Sequence, residues 1–416
     1  MGTESFIINR IAVSEKLGPD AFAGFTGRIP QMDNTASASI RVRRGRSVLD
    51  QYYKTFYSYL TPENFKPYLS NPAFQSKLFA FLKANQISSG ENFKRYRAIL
   101  SVFSAIVFSF LVVFLTCEFG MVEACLCVLA ILQLDWIIAS ASHFFWFSGL
   151  MFAPFVFNLF ALRLKNWFSF KYFVFIFVFN LILSLSKCLT SGFEVIPSFL
   201  VMSCLPPFYY YFSKSWKPRK FFYAFLLLSV SSLTGVGAAM TIHAQQIDIL
   251  KGEDGAGKKH LLSSFTRRST GKNRIRPNLP DRIKESYSVS AIDVINKYYN
   301  EPLITWNTGP RSTIPILSSN YLIYILSGLS LFWFLRFFFK KFANPFSGKV
   351  KGLIFMSWVA VLAPLSMFVS FKSLSWLHPH LVPITWNMPF SILIMLLLIY
   401  SARIIIGDII SNITFK

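Results

Sequence analysis

The chain has 416 residues, of which 53% are hydrophobic and 18% aromatic, with 47 Phe. A soluble domain this apolar would precipitate, so composition restricts it to a polytopic membrane protein and excludes an ordinary soluble enzyme. The formal charge of +23 sits mostly in short runs beside hydrophobic segments, which marks membrane topology and argues against a nucleic-acid binder, whose basic surface needs a soluble fold.

In chain order, residues 1–97 are mixed and polar, with a basic run at Arg41–Arg46 and no signal-peptide core. They are expected to form a cytoplasmic N-terminal region whose first forty or so residues are flexible. Beyond these, QYYKTFYSYL and SKLFAFLKAN are amphipathic enough for short helices on a membrane face. Residues 98–416 are expected to form an all-α membrane domain of about eight or nine transmembrane helices. The spans are placed at 98–117, 143–162, 170–186, 193–212, 221–242, 317–335, 351–370 and 386–404. The shorter run 119–134, interrupted by Glu123, is either a half-helix that dips back or a ninth span.

Basic flanks orient the spans. With eight of them, the clusters at Lys94–Arg97, Arg163/Lys165, Lys214–Lys220 and Arg336–Lys341 all fall inside, and both termini are cytoplasmic. The outer face then collects Glu118–His143, Lys187–Glu194, a long external loop at 243–316, and Lys372–Trp386. The loop carries turn signals and one helical stretch, SVSAIDVINKYYN. The five cysteines match no zinc or haem spacing and read as small packing residues.

The candidate site residues lie on that outer face. Asp135, followed by His143, reads either as a general base for an acceptor hydroxyl or as a helix cap in an aromatic belt. Glu194 has Lys187 seven residues before it, so it either orients a substrate or neutralises the lysine. Arg267 and Arg268 present forked donors suited to a phosphate, or else a solvated basic face. Lys372, His378, His380 and Trp386 share one turn; two histidines do not complete a metal shell, and a divalent ion would need Asp135 or Glu194 as well.

Taken in order, LDWIIASASHFFWF, LSKCLTSGFEVIPSFL, SFTRRSTG, SVSAIDVINKYYN and LAPLSMFVSFKSLSWLHPHLVPITW resemble bacterial GT-C-type polytopic membrane proteins. These are glycosyltransferases that use lipid-linked sugars and are associated with surface polysaccharide assembly. The resemblance covers roughly residues 100–405. It implies a polyprenyl-phosphate-linked sugar donor, a glycan or lipid acceptor, and contact with polysaccharide-assembly proteins. It implies residence in the bacterial cytoplasmic membrane, with a catalytic acid at Asp135, phosphate ligands at Arg267 and Arg268, and the histidine turn at His378 and His380. An O-antigen-type polymerase or ligase, a transporter and a non-catalytic scaffold stand as alternatives.

Overall fold

The computed structural model describes residues 4–18, 20–30, 46–72, 74–75, 77–78, 89–143, 147–271, 281–300, 302–309, 312–338, 348–378 and 381–414. The N-terminal region contributes α1 (Glu4–Leu17), a 3-10 turn (Ala21–Gly24), β1 (Gly27–Arg28), α2 (Arg46–Tyr59) and β2 (Lys66–Pro67), with β1 and β2 antiparallel. The helical bundle follows as α3 (Ser89–Glu118), α4 (Met121–Ile131), α5 (Asp135–Ala141), α6 (Ser148–Arg163), α7 (Phe170–Ser191), α8 (Ile196–Ser203), α9 (Pro206–Ser213) and α10 (Pro218–Lys251). Next come α11 (Ala256–Thr270), α12 (Asp281–Ser288), α13 (Ala291–Tyr299) and the hairpin β3 (Pro302–Gly309) and β4 (Ser312–Ser318). The chain closes with α14 (Ser319–Phe338), α15 (Gly348–Ala360), α16 (Leu362–Ser370), α17 (Lys372–Leu377), α18 (Leu381–Asn387) and α19 (Phe390–Thr414).

Among the described residues, six helices are long and apolar enough to cross a membrane: Lys94–Glu118, Phe170–Ser191, Pro218–Lys251, Ser319–Phe338, Gly348–Ser370 and Phe390–Ser411. Their outer faces are open and greasy. On α3, Ile99, Val102, Ile106, Phe110 and Val113 are each at least 50% exposed and recur at helical spacing, a surface that water would not tolerate and lipid would. The chain is therefore a helical membrane protein.

The expected span at 193–212 is two eight-residue helices, α8 and α9. Pro206 and Pro207 lack the N–H groups that would continue the ladder, so the helix stops at Ser203 and restarts. The expected span at 143–162 is the sixteen-residue α6, and the run 119–134 yields the eleven-residue α4. The short α5 lies between them in the chain, so that α4, α5 and α6 make a helical hairpin. Its two ends lie together, because Arg403 bonds Glu123 at the start of α4 and Arg163 meets Glu118 at 3.7 Å at the end of α6.

A buried polar seam pins the centre of the bundle. Asn158 on α6 donates to the Asn180 side chain at 3.1 Å and to the Ser203 carbonyl at the α8 break at 2.9 Å. Asn180 on α7 donates to Ser231 and Ser232 on α10, both at 2.7 Å. In a bilayer each such bond is worth about 0.5–2 kcal/mol. Asn180→Ala should therefore lower stability by about 1–2 kcal/mol, read as a lower Tm in detergent, while Ser232→Ala should fall within half of that.

Where it is described, the N-terminal region is packed: Ile7, Ile8, Ile11, Phe25, Phe56 and Leu60 are nearly inaccessible and form part of the core. Arg10 is enclosed, donates to the Ala21 carbonyl at 2.6 Å, and is brought down to about 10 by burial against the opposing pull of Asp20. The region also packs against the end of α10, from which the long loop starts. Gln246 on α10 donates to the Ala23 carbonyl at 2.8 Å, and His243 bonds the Leu69 carbonyl at 3.0 Å. Groups that share a hydrogen bond share a face. The α3 helix starts at this cap end, with Tyr96 in the field of Glu15, and its far end meets α19 through the bond from Arg403 to the Phe119 carbonyl. The N-terminal region and the end of α19 therefore lie at opposite ends of the bundle.

Within the long loop, α13 forms where the sequence predicts a helix, with Ser290 and Asp293 making a reciprocal capping box. The β3–β4 hairpin is an addition to the all-α expectation. Its β-branched stretches, PLITWNTG and STIPILS, carried the strand signal.

Candidate functional site

The cap end gathers a polar cluster from four distant stretches. Lys187 closes the last turns of α7 and is fully buried. Its ammonium donates to the carbonyls of Gly192 and Glu194, at 3.0 and 2.8 Å, and stands 5.5 Å over the Phe199 ring. These bonds hold a tight turn at 192–195 in which Gly192 (φ 68°) and Val195 (φ 52°) are both left-handed. Glycine is required at 192 for space too, since a Cβ there would stand 2.9 Å from the Asn71 amide.

Glu194 emerges from this turn toward Arg268, which sits in the last turn of α11 beside Arg267. Burial raises the Glu194 carboxyl above its ordinary range, with Arg268 and then Lys187 pulling it back down. Tyr68 from the N-terminal region is raised by burial and by the field of Glu194. His243 lies between the rings of Phe25 and Phe193, at 5.6 and 5.4 Å. His260, on α11, bonds Ser264 at 3.2 Å and is lowered by burial and by Arg267 and Lys251.

Three of the residues singled out in the sequence, Glu194, Arg267 and Arg268, thus converge. Lys187 binds the Glu194 main-chain oxygen, so the seven-residue spacing builds a turn and not a side-chain ion pair. His260 reads in the sequence, with Lys258 and Lys259, as the Arg pair does: a phosphate-facing group or a solvated basic face. His243 and Tyr68 escaped sequence reasoning.

The other candidates are elsewhere. Asp135 opens α5, and its side chain lies outside the described residues. The α5 helix packs on α3, α6 and α18, and the Ala141 carbonyl accepts from Ser104 at 2.9 Å. That places the end of α5 about 15 Å along α3 from Lys94. His143 follows α5 and is half-buried. Lys372 opens α17 and faces Asp293. His378 ends α17, its amide bonded to the Leu374 carbonyl at 3.0 Å, and His380 lies outside the described residues. Trp386 is 2% exposed, with Phe368 and Phe390 at 6.5 and 5.5 Å, and packs in the core. Trp376 has Lys297 3.8 Å over its ring. Among the described residues, no three His, Cys, Asp or Glu side chains stand close enough to hold a metal ion.

No family model, no curated protein and no solved structure matches this chain.

Proposed function

We propose that the chain is a membrane-embedded glycosyltransferase of the GT-C kind, passing a sugar from a polyprenyl-phosphate-linked donor to a glycan or lipid acceptor. The observation that supports this reading is the convergence of Glu194, Arg267 and Arg268 at the end of nearly charge-free spans. Such a place suits an amphiphile whose tail lies in lipid and whose phosphate meets guanidinium groups. In the proposed step, Glu194 takes the proton of the acceptor hydroxyl, whose oxygen attacks the anomeric carbon. The bond from that carbon to the phosphate oxygen breaks, and the polyprenyl phosphate leaves with its charge met by Arg268 and Arg267. A carboxyl lifted by burial toward working pH suits that proton transfer. Asp135 stands as the alternative base.

The sidedness follows from charge. Arg163, Lys165, Lys214, Lys217, Arg219 and Lys220 flank short connections at the end away from the N-terminal region. Under the positive-inside rule that end faces the cytoplasm, and the cluster faces the other side of a bacterial inner membrane, where polysaccharide-assembly partners would be met.

The test is sugar transfer by purified protein supplied with a panel of polyprenyl-phosphate-linked sugars. Glu194→Gln should reduce turnover by about a hundredfold or more, and Arg268→Gln should mainly weaken donor use. Transfer by Glu194→Gln at the wild-type rate would overturn the assignment. A second reading, in which the cluster is only a seat for the N-terminal region, is favoured by the way Tyr68 and Asn71 cover it. It predicts that Glu194→Gln lowers Tm and leaves transfer untouched.

A further inference from the structure

Two ion pairs brace α19 at the end of the bundle away from the N-terminal region. Arg403 meets Glu123 on α4, and Asp408 meets Arg336 on α14. Both of these α19 side chains line an open groove of about 460 Å³, whose apolar wall is Phe119, Tyr400 and Ile404. Neither charge is used up by its partner. A guanidinium that only neutralised a carboxylate would face it with two parallel bonds. Arg403 instead directs Nη1 alone to both the Phe119 carbonyl and Glu123 Oε1, and the buried Glu123 Oε2 has no partner. The rest of the guanidinium is turned outward: the side chain is 59% exposed, and its other nitrogens bond nothing among the described residues. Asp408 accepts from Arg336 on Oδ2, and its Oδ1 bonds nothing among the described residues.

We infer that this groove seats the headgroup of a phosphatidylethanolamine lipid, with the phosphate on the outward edge of Arg403 and the ammonium on Asp408. Lipid is the source because the apolar surface continues past the groove. Met121 and Val122, next to Glu123, and Ile406 and Ile410, either side of Asp408, are each more than half exposed. Acyl chains have a surface to lie on there, which a soluble phosphate ester would not use. Charge selects the ethanolamine. The two ion pairs balance, so the groove offers one guanidinium edge and one carboxylate oxygen, not the surplus of cations that favours an anionic headgroup. Arg403 and Asp408 are five residues apart, about 7.5 Å of helix rise, which suits a phosphate and an ammonium joined by two carbons. A choline headgroup carries the same charges, but its methylated nitrogen has no N–H to donate.

Gly407 opens the site. It lines the groove one turn past Arg403, and a Cβ there would meet nothing within 4 Å. A side chain at 407 therefore takes the space of the headgroup without pressing on the bundle. A bound headgroup links the α4 side of α19 to its α14 side and stabilises that arrangement by mass action. The groove lies at the opposite end of the bundle from Glu194, so the inference stands or falls apart from sugar transfer.

The experiment is native mass spectrometry of the intact protein in detergent, incubated with equimolar phosphatidylethanolamine, phosphatidylcholine and phosphatidylglycerol of one acyl composition. The wild type should hold phosphatidylethanolamine over phosphatidylcholine by about fivefold or more, and should prefer it to phosphatidylglycerol as well. Gly407→Leu should bring the first ratio below about twofold, with its Tm in the absence of lipid close to that of the wild type. Arg403→Lys keeps a charge for Glu123 but loses the second donor edge. It should cut the ratio by about half or more, and it serves if the leucine variant does not fold. A wild-type ratio near one would overturn the site, as would an undiminished ratio in either variant. Preference for phosphatidylglycerol would overturn it in favour of a plain cationic patch.

Discussion

Lys187→Met is expected to destabilise the protein by about 3–5 kcal/mol, the largest effect of any single substitution considered. The lysine makes no solvent contact and satisfies two carbonyls of a turn that is already strained, with Val195 at φ 52°. Methionine has nearly the same length but no donor, so both carbonyls lose their partner and Glu194 loses one of its two cations. Lys187→Arg keeps the charge but must fit a wider head against Phe199, and should recover only part of the loss. The measurement is Tm in detergent together with exchange at residues 190–196. A methionine variant within about 0.5 kcal/mol of wild type would show that water already serves those carbonyls.

Glu118→Ala is expected to cost about 2–3 kcal/mol at the opposite end of the bundle. Glu118 is 3% exposed and accepts from the Tyr209 hydroxyl at 2.9 Å, while Arg163 and Lys349 stand at 3.7 and 3.9 Å. Both cations are themselves more than a third exposed on average, so water screens them and the ion pairs count for little. The cost comes from the buried tyrosine hydroxyl left without an acceptor. Glu118→Gln keeps an acceptor for that hydroxyl and should cost about 1 kcal/mol. If glutamine and alanine are equally damaging, charge and not the tyrosine bond is what this carboxylate supplies.

Both residues bear on what the sequence could reveal. Hydropathy located the long spans well: the runs at 98–117, 170–186, 221–242, 317–335, 351–370 and 386–404 each overlap a helix of membrane length, with 317–318 and 386–389 falling before theirs. It failed at 193–212 because an averaged window does not see Pro206-Pro207 stop the ladder. Which segments gather at one end of the bundle was not legible for a different reason. The basic flanks Lys94–Arg97 and Lys214–Lys220 look alike in sequence, yet the first adjoins the folded N-terminal region and the second a short turn at the other end. Only the contacts of Gln246 with Ala23 and of His243 with Leu69 separate them. At the candidate site, Glu194, Arg267 and Arg268 stood out as charges beside apolar runs. Tyr68 and His243 did not, because a side chain that becomes polar machinery only through a partner 174 residues away leaves no local trace.

The hairpin of α4, α5 and α6 has a consequence for how the chain is made. Its first helix packs on α19, and Glu123 meets Arg403 across 280 residues of sequence. During synthesis from the N-terminus, that glutamate leaves the ribosome long before its arginine exists. Until then a carboxylate must wait unpaired at the edge of the lipid, where it is costly. The hairpin can therefore settle only after the last helix is threaded into the membrane. A chain stalled before Arg403 should hold 121–131 loosely at the surface, open to chaperones and proteases, however complete the helices between them.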